Sequence, residues 1–132
     1  MIIGLELFEK MLAVASTSER LRTNLDLRNS SSDTSQRMLN ALLPGTEVPI
    51  HRHHSTSETV VLLKGRIAEV YYDDYGNETE RVELDANGKN RGVQVAAGRW
   101  HTVEVYEPSV IIEFKAGSYE PLSEDEILKN SL

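Results

Sequence analysis

The stretch Gly45-Thr-Glu-Val-Pro-Ile-His51-Arg-His53-His-Ser-Thr-Ser-Glu58, followed by an apolar run that ends at Gly65, carries the strongest signal in this chain. Residues two apart in an extended segment project to the same side, so His51 and His53 can share one ion. Glu58 follows after a short turn, from which its carboxylate can reach the same point. Imidazole and carboxylate ligands together suit a divalent Fe, Mn, Co, Ni or Zn ion. We therefore expect one divalent transition metal ion here.

The other two histidines have different expected roles. His101 lies far along the chain from the first pair, so only a fold that brings distant strands together can supply it as a further ligand. His54 is out of phase with the pair and is expected to be exposed or to stand behind the ligands. The predicted metal ligands are therefore His51, His53, Glu58 and His101.

The body of the chain, from Gln36 onward, consists of short apolar segments separated by turns. Glycine-containing pairs such as Lys64-Gly65 and Asn87-Gly88 mark the divisions. Many short, evenly spaced strands are typical of an antiparallel sandwich or barrel. The predicted strands cover residues 37–43, 58–63, 66–72, 79–84, 93–96, 102–106 and 110–114.

A helical arm is predicted to precede this body. Apolar residues recur at helical spacing over residues 5–15, and a Ser-x-x-Glu pattern at Ser16 and Glu19 predicts a second short helix to residue 22. The polar run over residues 29–35 favours a loop. We divide the chain into an arm packing on the barrel (1–30), a β-barrel (31–120) and a tail (121–132). In that tail Ser123 and Glu126 predict a capped helical turn over residues 123–130.

Composition narrows the classes of function. The 132 residues suit one domain, and the absence of cysteine excludes disulfides and thiolate ligands. Lys and Arg total 14 against 21 Asp and Glu, a net charge of −7, and the basic residues are scattered, which argues against a nucleic-acid partner. The N-terminus lacks the pattern of a secretory signal, and no segment approaches the roughly 20 apolar residues that cross a bilayer. We expect a cytoplasmic protein with no membrane partner.

The chain resembles the cupin superfamily. Gly45-(x5)-His51-x-His53-(x4)-Glu58-(x6)-Gly65 matches the first cupin motif at every defined position, and Gly98-x-x-His101 matches the core of the second. The second motif is altered at three positions, Asn90, Ala96 and Val105. The resemblance implies a mainly β, single-domain fold: the cupin double-stranded β-helix, a small antiparallel barrel or jelly roll, with the helical arm added to it.

A closer resemblance is to the WbuC family of cupin-fold metalloproteins, and it runs over most of the chain. It is carried by Gln36-Arg-Met-Leu-Asn-Ala-Leu42, His51-Arg-His53, Gly98-Arg-Trp-His-Thr102 and Glu113-Phe-Lys-Ala-Gly-Ser-Tyr119, among others. That family is associated with gene clusters for bacterial O-antigen and other surface polysaccharides. The resemblance implies a small-molecule metalloenzyme of polysaccharide or sugar-nucleotide metabolism, without assigning its reaction.

Six further residues are candidates for a pocket beside the metal: Gln36, Arg37, Asn40, Trp100, Glu113 and Lys115. Trp100 adjoins a ligand and could form a pocket wall or pack in the core. An arginine such as Arg37 could clamp an anion through paired hydrogen bonds. Glu113 and Lys115 alternate with apolar residues, which places them either in the barrel lumen or on an exposed face.

Three functions remain open at this point. The first is an enzyme acting on a sugar-derived intermediate, and the second is an iron-dependent dioxygenase or a metallohydrolase acting on a small organic acid. The third is a metal- or ligand-binding module without turnover. One negative ligand on a divalent ion leaves positive charge, so an anionic small molecule is the expected ligand. A homodimer is expected by analogy with small cupins, and the N-terminal helix could cover either that interface or its own barrel.

Overall fold

One α-helix and eight strands follow one another in the computed structural model, which describes residues 1–129. Their bounds are α1 Leu5–Ser16, β1 Arg22–Asp26, β2 Ser35–Leu42, β3 Glu58–Lys64, β4 Arg66–Tyr72, β5 Glu78–Asp85, β6 Gly92–Val95, β7 Trp100–Val105 and β8 Ser109–Ala116. A short 3-10 turn, Glu124–Glu126, follows near the end of the described chain. The predicted mainly β fold with an N-terminal helix is confirmed.

The strands form two antiparallel sheets. The larger sheet has the order β1-β2-β8-β3-β6, and the smaller has the order β5-β4-β7. The chain passes from the larger to the smaller sheet at Gly65, which has a φ of 89°. A Cβ atom there would lie 2.2 Å from Ser109 Oγ and 2.4 Å from the Pro108 carbonyl oxygen, so only glycine fits.

Two apolar cores hold the layers together. Between the sheets, Val60 and Leu62 of the larger sheet pack with Ile67 and Leu84 of the smaller one. The alternation of β3 and β4 directs these side chains into the space between the sheets. Burial of four such side chains contributes on the order of 1.5–3 kcal/mol each.

The second core lies on the outer face of the larger sheet. Helix α1 buries Phe8, Met11 and Ala15 against Leu39 and Ala41 of β2. The predicted amphipathic helix is therefore confirmed, and its apolar stripe covers its own sheet.

Sequence patterns located seven of the eight strands to within two residues at each end. The exception is β1, over which no strand was predicted. The predicted second helix, from Ser16 to residue 22, is wrong. A turn follows α1, and the chain then enters β1, which pairs antiparallel with β2 from Arg22 opposite Leu42 to Asp26 opposite Met38. The predicted arm (1–30) thus contributes one strand to the larger sheet.

The end of the described chain is an extended segment with one capped turn. The Glu126 carboxylate accepts a hydrogen bond from the Ser123 backbone N–H at 3.1 Å, which is the capping contact that the sequence predicts. The last part of the predicted turn and tail, residues 130–132, lies outside the described residues. Within residues 1–129 no helix is long and apolar enough to span a bilayer.

Candidate metal centre

A backbone bridge brings His51 beside His101, although the two are far apart in sequence. Each residue donates its N–H to the other's carbonyl, at 3.0 and 2.9 Å. This is the closely hydrogen-bonded pair of an antiparallel ladder, in which directly opposite side chains project to the same face. The segment before β3 therefore extends the smaller sheet next to β7, and both imidazoles face the space between the sheets.

The three predicted histidine ligands converge. One ring nitrogen from each of His51, His53 and His101 lies within 4.8 Å of the corresponding nitrogens of the other two. The Nδ1 atom of His51 lies 2.8 Å from the Pro49 carbonyl, and that of His101 lies 2.9 Å from the Arg99 carbonyl. Since a carbonyl accepts hydrogen bonds, both Nδ1 atoms carry the proton, and the two Nε2 atoms offer lone pairs to the cluster.

Glu58 completes the group from the opposite sheet. It is the first residue of β3 and is buried, with its Oε2 atom 3.1 Å from His53 Nε2 and its Oε1 atom 3.9 Å from His101 Nε2. Burial alone would raise the pKa of Glu58, but the hydrogen bond from His53 and the neighbouring histidines hold that pKa below its ordinary value. The structure therefore brings an ionised carboxylate and three imidazoles to one point.

The state of these side chains fits a divalent metal ion. His101 Nε2 is buried and has no hydrogen-bond partner among residues 1–129, whereas buried polar atoms are nearly always paired. Burial, together with the charge of His101, lowers the pKa of His51 to about 4, and burial also lowers the pKa of His101. His51 and His101 are thus neutral with free Nε2 lone pairs, as metal coordination requires, whereas His53 Nε2 donates to Glu58 and would have to lose its proton to bind an ion.

His54 lies where strand alternation predicted it, on the side away from His51 and His53. His54 points away from the cluster, and its Nε2 atom lies 3.1 Å from the carboxylate of Asp125. Its side chain is 45% exposed, in contrast with 3% for His101. His54 is therefore not part of the converging group.

A cavity of about 410 Å³ opens beside the four converging side chains. Three predicted pocket residues line it: Asn40, Glu113 and Lys115. Lys115 Nζ lies 3.3 Å from His53 Nδ1, so the ammonium group reaches the cluster directly. Glu113 and Lys115 thus belong to the lumen, which was one of the two placements left open by the sequence.

Trp100, for which the sequence left a pocket wall and core packing open, is buried and does not line the main cavity. It precedes His101 on β7, so alternation directs its side chain to the opposite face of the smaller sheet. There its indole N–H donates to the carboxylate of Asp74 at 2.9 Å, and the guanidinium of Arg52 lies 4.1 Å from the ring centre. Trp100 is buried as a structural residue.

Gln36 and Arg37 do not line the main cavity either. Both line a smaller adjoining cavity of about 110 Å³. The Gln36 amide donates to the Gly117 carbonyl at 2.9 Å, and Arg37 pairs with Asp33 at 3.1 Å. These contacts occupy side chains that the sequence offered as ligand-binding groups.

Sequence reasoning missed four charged residues of the main cavity, namely Arg20, Arg22, Glu69 and Glu120. Glu69 of β4 is buried and faces the space between the sheets, because it stands opposite Val103 of β7. Burial, reinforced by the negative charges of Glu58 and Glu113, raises the pKa of Glu69 well above its ordinary value. Its signal was a lone carboxylate within an otherwise apolar strand. Arg20 and Arg22 also line the cavity, and they were missed because both fall within the predicted helix over residues 16–22.

Comparisons with known proteins agree with this architecture. A family model described as a domain of unknown function (DUF6016) matches residues 3–84. No curated protein matches the sequence significantly. Solved structures that share the fold include the capsular polysaccharide assembling protein CapF from Staphylococcus aureus, at 19% identity and a TM-score of 0.66. That match covers 80% of this chain and 30% of CapF.

Two further structures extend the comparison. An oxalate oxidase in complex with the substrate analogue glycolate matches at 13% identity over 82% of this chain and 57% of the oxidase, with a TM-score of 0.64. KdgF from Halomonas sp. matches at 11% identity over 78% of this chain and 85% of KdgF, with a TM-score of 0.59. The chain thus spans about a third to somewhat over half the length of CapF and the oxidase. These likenesses show the fold, which is the expected cupin-type β-sandwich. The WbuC resemblance stays a prediction, because neither the family match nor these structures bears on it.

Proposed function

The chain belongs to the DUF6016 family, and we propose that it is a metal-dependent cupin that processes a small polar molecule in the cavity between its sheets. The metal ligands in this proposal are His51, His53, Glu58 and His101. The observation that carries it is His101 Nε2, a buried lone pair without a partner that faces two other imidazoles and a carboxylate. Leaving such a group unsatisfied costs roughly 1–3 kcal/mol, and a metal ion would remove that cost.

The chain's own residues prepare this centre. The carbonyls of Pro49 and Arg99 hold His51 and His101 in the tautomer that directs Nε2 inward. The Glu58 carboxylate supplies one negative charge to offset the ion. A divalent transition metal held there would act as a Lewis acid and lower the pKa of a bound water molecule.

Lys115 adds a positive charge at the boundary between the centre and the cavity. Its ammonium group lies within reach of His53 and lines the cavity, so it can also contact the ligand. An anionic or hydroxyl-bearing small molecule complements this group together with the residual charge of the ion. The volume of about 410 Å³ is within the range of sites that bind small molecules.

For the substrate we favour a sugar-derived molecule, including sugar-nucleotide intermediates of surface-polysaccharide synthesis. The support is the WbuC resemblance of the sequence and the fold likeness to CapF, which is named for capsular polysaccharide assembly. The second candidate is an oxygen-using or hydrolytic reaction on a small organic acid. The three-histidine, one-carboxylate set resembles that of cupin dioxygenases, and the fold likeness to an oxalate oxidase holding glycolate agrees with it.

Elemental analysis tests the metal centre. We expect full-length protein purified without added metal to carry close to one transition metal ion per chain. The variant His101→Gln should lose it, because its affinity should fall by more than the roughly 10- to 100-fold that loss of an outer partner costs. His54→Gln is the matched control and should keep the ion. Equal metal content in both variants would refute the proposed ligand set.

A screen of sugar nucleotides and small carboxylates tests turnover. Product formation from a sugar nucleotide with metal-loaded protein would support the first substrate class. Oxygen consumption or hydrolysis with a small acid would support the second. Binding without product under any metal would overturn the proposal of an enzyme and identify a binding module.

A further inference from the structure

Two arginines that line the cavity, Arg20 and Arg22, have no part in the proposed metal centre. Arg20 and Arg22 both line the same cavity as His51 and His101. Arg22 is half-buried, and its Nη1 atom donates to Thr46 Oγ1 at 3.1 Å and to the Glu47 carbonyl at 2.8 Å. A guanidinium carries five N–H donors, so these two contacts leave donors available.

Neither guanidinium has a counterion in the part of the chain that the structure describes. Five of the other seven arginines do pair with a carboxylate, Arg52 and Arg91 being the exceptions among the described residues: Arg28, Arg37, Arg66, Arg81 and Arg99. Arg20 and Arg22 instead lie close enough that burial and the charge of Arg20 lower the pKa of Arg22. The exposed Arg20 and the half-buried Arg22 thus bring two positive charges, neither of them in an ion pair, to the lining of one cavity. Such a pair of charges attracts an anion.

The strand register places Arg22, at the start of β1, away from the proposed metal ligands. On the inner face of the larger sheet, Glu58 stands opposite Lys115, and Lys115 stands opposite Gln36 at the start of β2. Arg22 stands opposite Leu42, at the other end of β2. From Gln36 to Leu42 is six residues of strand, so the backbones at the Glu58 end and at the Arg22 end of the sheet are about 20 Å apart. Long side chains shorten that span, so one small molecule can contact both ends.

The backbone between the two arginines is strained. Leu21 has a φ of 56°, and it is the one residue other than glycine with a positive φ among residues 1–129. Hydrogen bonds hold it there: its N–H donates to the Ser18 carbonyl and its carbonyl accepts from the Leu43 N–H, both at 3.0 Å. A strained residue held in this way between two cavity-lining side chains is frequent at binding sites.

We propose that Arg20 and Arg22 form an anion-binding end of the cavity, which takes a phosphate group of a ligand whose other end lies at the metal centre. Two unneutralised guanidiniums match a doubly charged oxyanion better than a single carboxylate, and their planar forks bind phosphate through paired hydrogen bonds. The inference deepens the proposed function and rests on it for the identity of the other end. The ligand class is a phosphorylated small molecule, and a sugar phosphate or sugar nucleotide belongs to this class.

Binding of inorganic phosphate to the full-length protein tests the inference. The protein is treated with EDTA and dialysed, so that phosphate cannot bind to a metal ion, and calorimetric titrations are run at matched ionic strength with phosphate and with succinate. We expect phosphate to bind more tightly than the dicarboxylate. Arg20→Gln and Arg22→Gln should each weaken phosphate binding at least about fivefold, since each removes a charge-assisted contact. Arg91→Gln, which changes the charge equally outside the cavity, should leave it unchanged.

The outcomes separate this inference from the metal proposal. Equal phosphate affinity in Arg20→Gln, Arg22→Gln and Arg91→Gln would overturn the anion site, as would tighter binding of succinate than of phosphate. Arg22 also donates a hydrogen bond to Thr46 in the neighbouring loop. If Arg22→Gln were unfolded and were the only variant to lose phosphate binding, that loss would reflect a structural role. Arg20 makes no such side-chain contact in the described structure, and Arg20→Gln therefore decides that case. Metal content measured on the same variants should stay at the wild-type level. A wild type that binds phosphate but no metal would refute the proposed function and leave the anion site standing.

Discussion

Individual side chains at the site hold charges that their surroundings set. His51 has its pKa lowered to about 4 by burial and by His101, against 6.5 for a free histidine. Between these two values the unfolded chain binds a proton that the folded, metal-free chain does not. Stability should therefore fall as the pH decreases from about 6.5 to about 4. Thermal unfolding of EDTA-treated protein across this range measures the effect, and His51→Gln should weaken the dependence whereas His54→Gln should not. A midpoint of unfolding with the same pH slope in wild type and His51→Gln would contradict this assignment.

Glu113 has the opposite dependence on pH. Burial and the charge of Glu58 raise the pKa of Glu113 to about 8, so the folded carboxyl stays protonated where the unfolded one has ionised. The resulting stability is complete below about 4.5 and is lost as the pH rises towards 8. Glu113→Gln cannot ionise, so it should gain stability relative to wild type across that window, by up to a few kcal/mol. Denaturant unfolding at pH 5 and pH 8.5 measures the difference, with the exposed Glu9→Gln as control. If Glu113→Gln gained the same stability over wild type at pH 5 and at pH 8.5, the difference between the two proteins would come from packing and not from ionisation of Glu113.

Residues of the candidate site could be predicted from the sequence where they lie close together along the chain. His51, His53 and Glu58 lie in one short segment, where strand alternation and one turn suffice to predict convergence. Glu69 is separated from them by a change of sheet, and its neighbours Ile67 and Val70 gave that strand the pattern of a plain core strand. Its position opposite Val103 follows from pairing that no local pattern specifies.

At the scale of elements, apolar alternation and glycine-containing turns were sufficient to predict the positions of the inner strands from the sequence. Strand β1, Arg22–Asp26, has a single apolar residue, Leu25, and it pairs only along one edge. A strand of that composition is stabilised by tertiary pairing with β2, while the preceding Ser16 and Glu19 imitate a helix start. The strand was missed for these reasons, and with it Arg22, its first residue, and Arg20, which precedes it.

The segment at the end of the described chain supports the ligand segment from its outer side. Ile127 bridges His51, the Arg52 N–H donates to the Glu126 carbonyl at 3.0 Å, and the Leu128 N–H donates to the Ile50 carbonyl at 2.9 Å. The Glu126 carboxylate also accepts the His54 N–H at 3.0 Å. His51 is therefore held between β7 on one side and this segment on the other.

Removal of the Glu126 carboxylate should loosen the ligand segment. Hydrogen bonds from the backbone of Ser123 and His54 lower the pKa of Glu126 to about 2, so it is ionised at neutral pH. We expect Glu126→Ala to lower stability by about 1–2 kcal/mol and to weaken metal binding severalfold. Denaturant unfolding and a competition titration with a metal chelator measure the two effects. Glu124→Ala, in the same turn, should change neither. An unaltered metal affinity in Glu126→Ala would show that the segment does not position His51.

At the scale of the whole molecule, the four proposed ligands come from both layers of the sandwich. Glu58 belongs to the larger sheet and His101 to the smaller, so an ion between them would join the two. Binding to the folded state alone stabilises it by about 2.7 kcal/mol when the free metal is a hundredfold above its Kd. For a domain of this size the thermal midpoint should rise by about 10 °C. Calorimetry with and without EDTA checks this, and His101→Gln should show no such rise. An equal rise in that variant would place the stabilising ion elsewhere. The homodimer and the cytoplasmic location stay predictions at this scale.

The mutual backbone pairing of His51 with His101 has a consequence for how the centre forms. The two backbone hydrogen bonds between His51 and His101 join the segment before β3 to β7, and they also set the distance between the two imidazoles. If the proposed ion binds, closure of the tertiary fold has already set the spacing of these two ligands, and no loop has to be ordered separately around the ion. Amide exchange at these two positions would then report how often the empty centre comes apart, and metal affinity would rise and fall with the completeness of the fold.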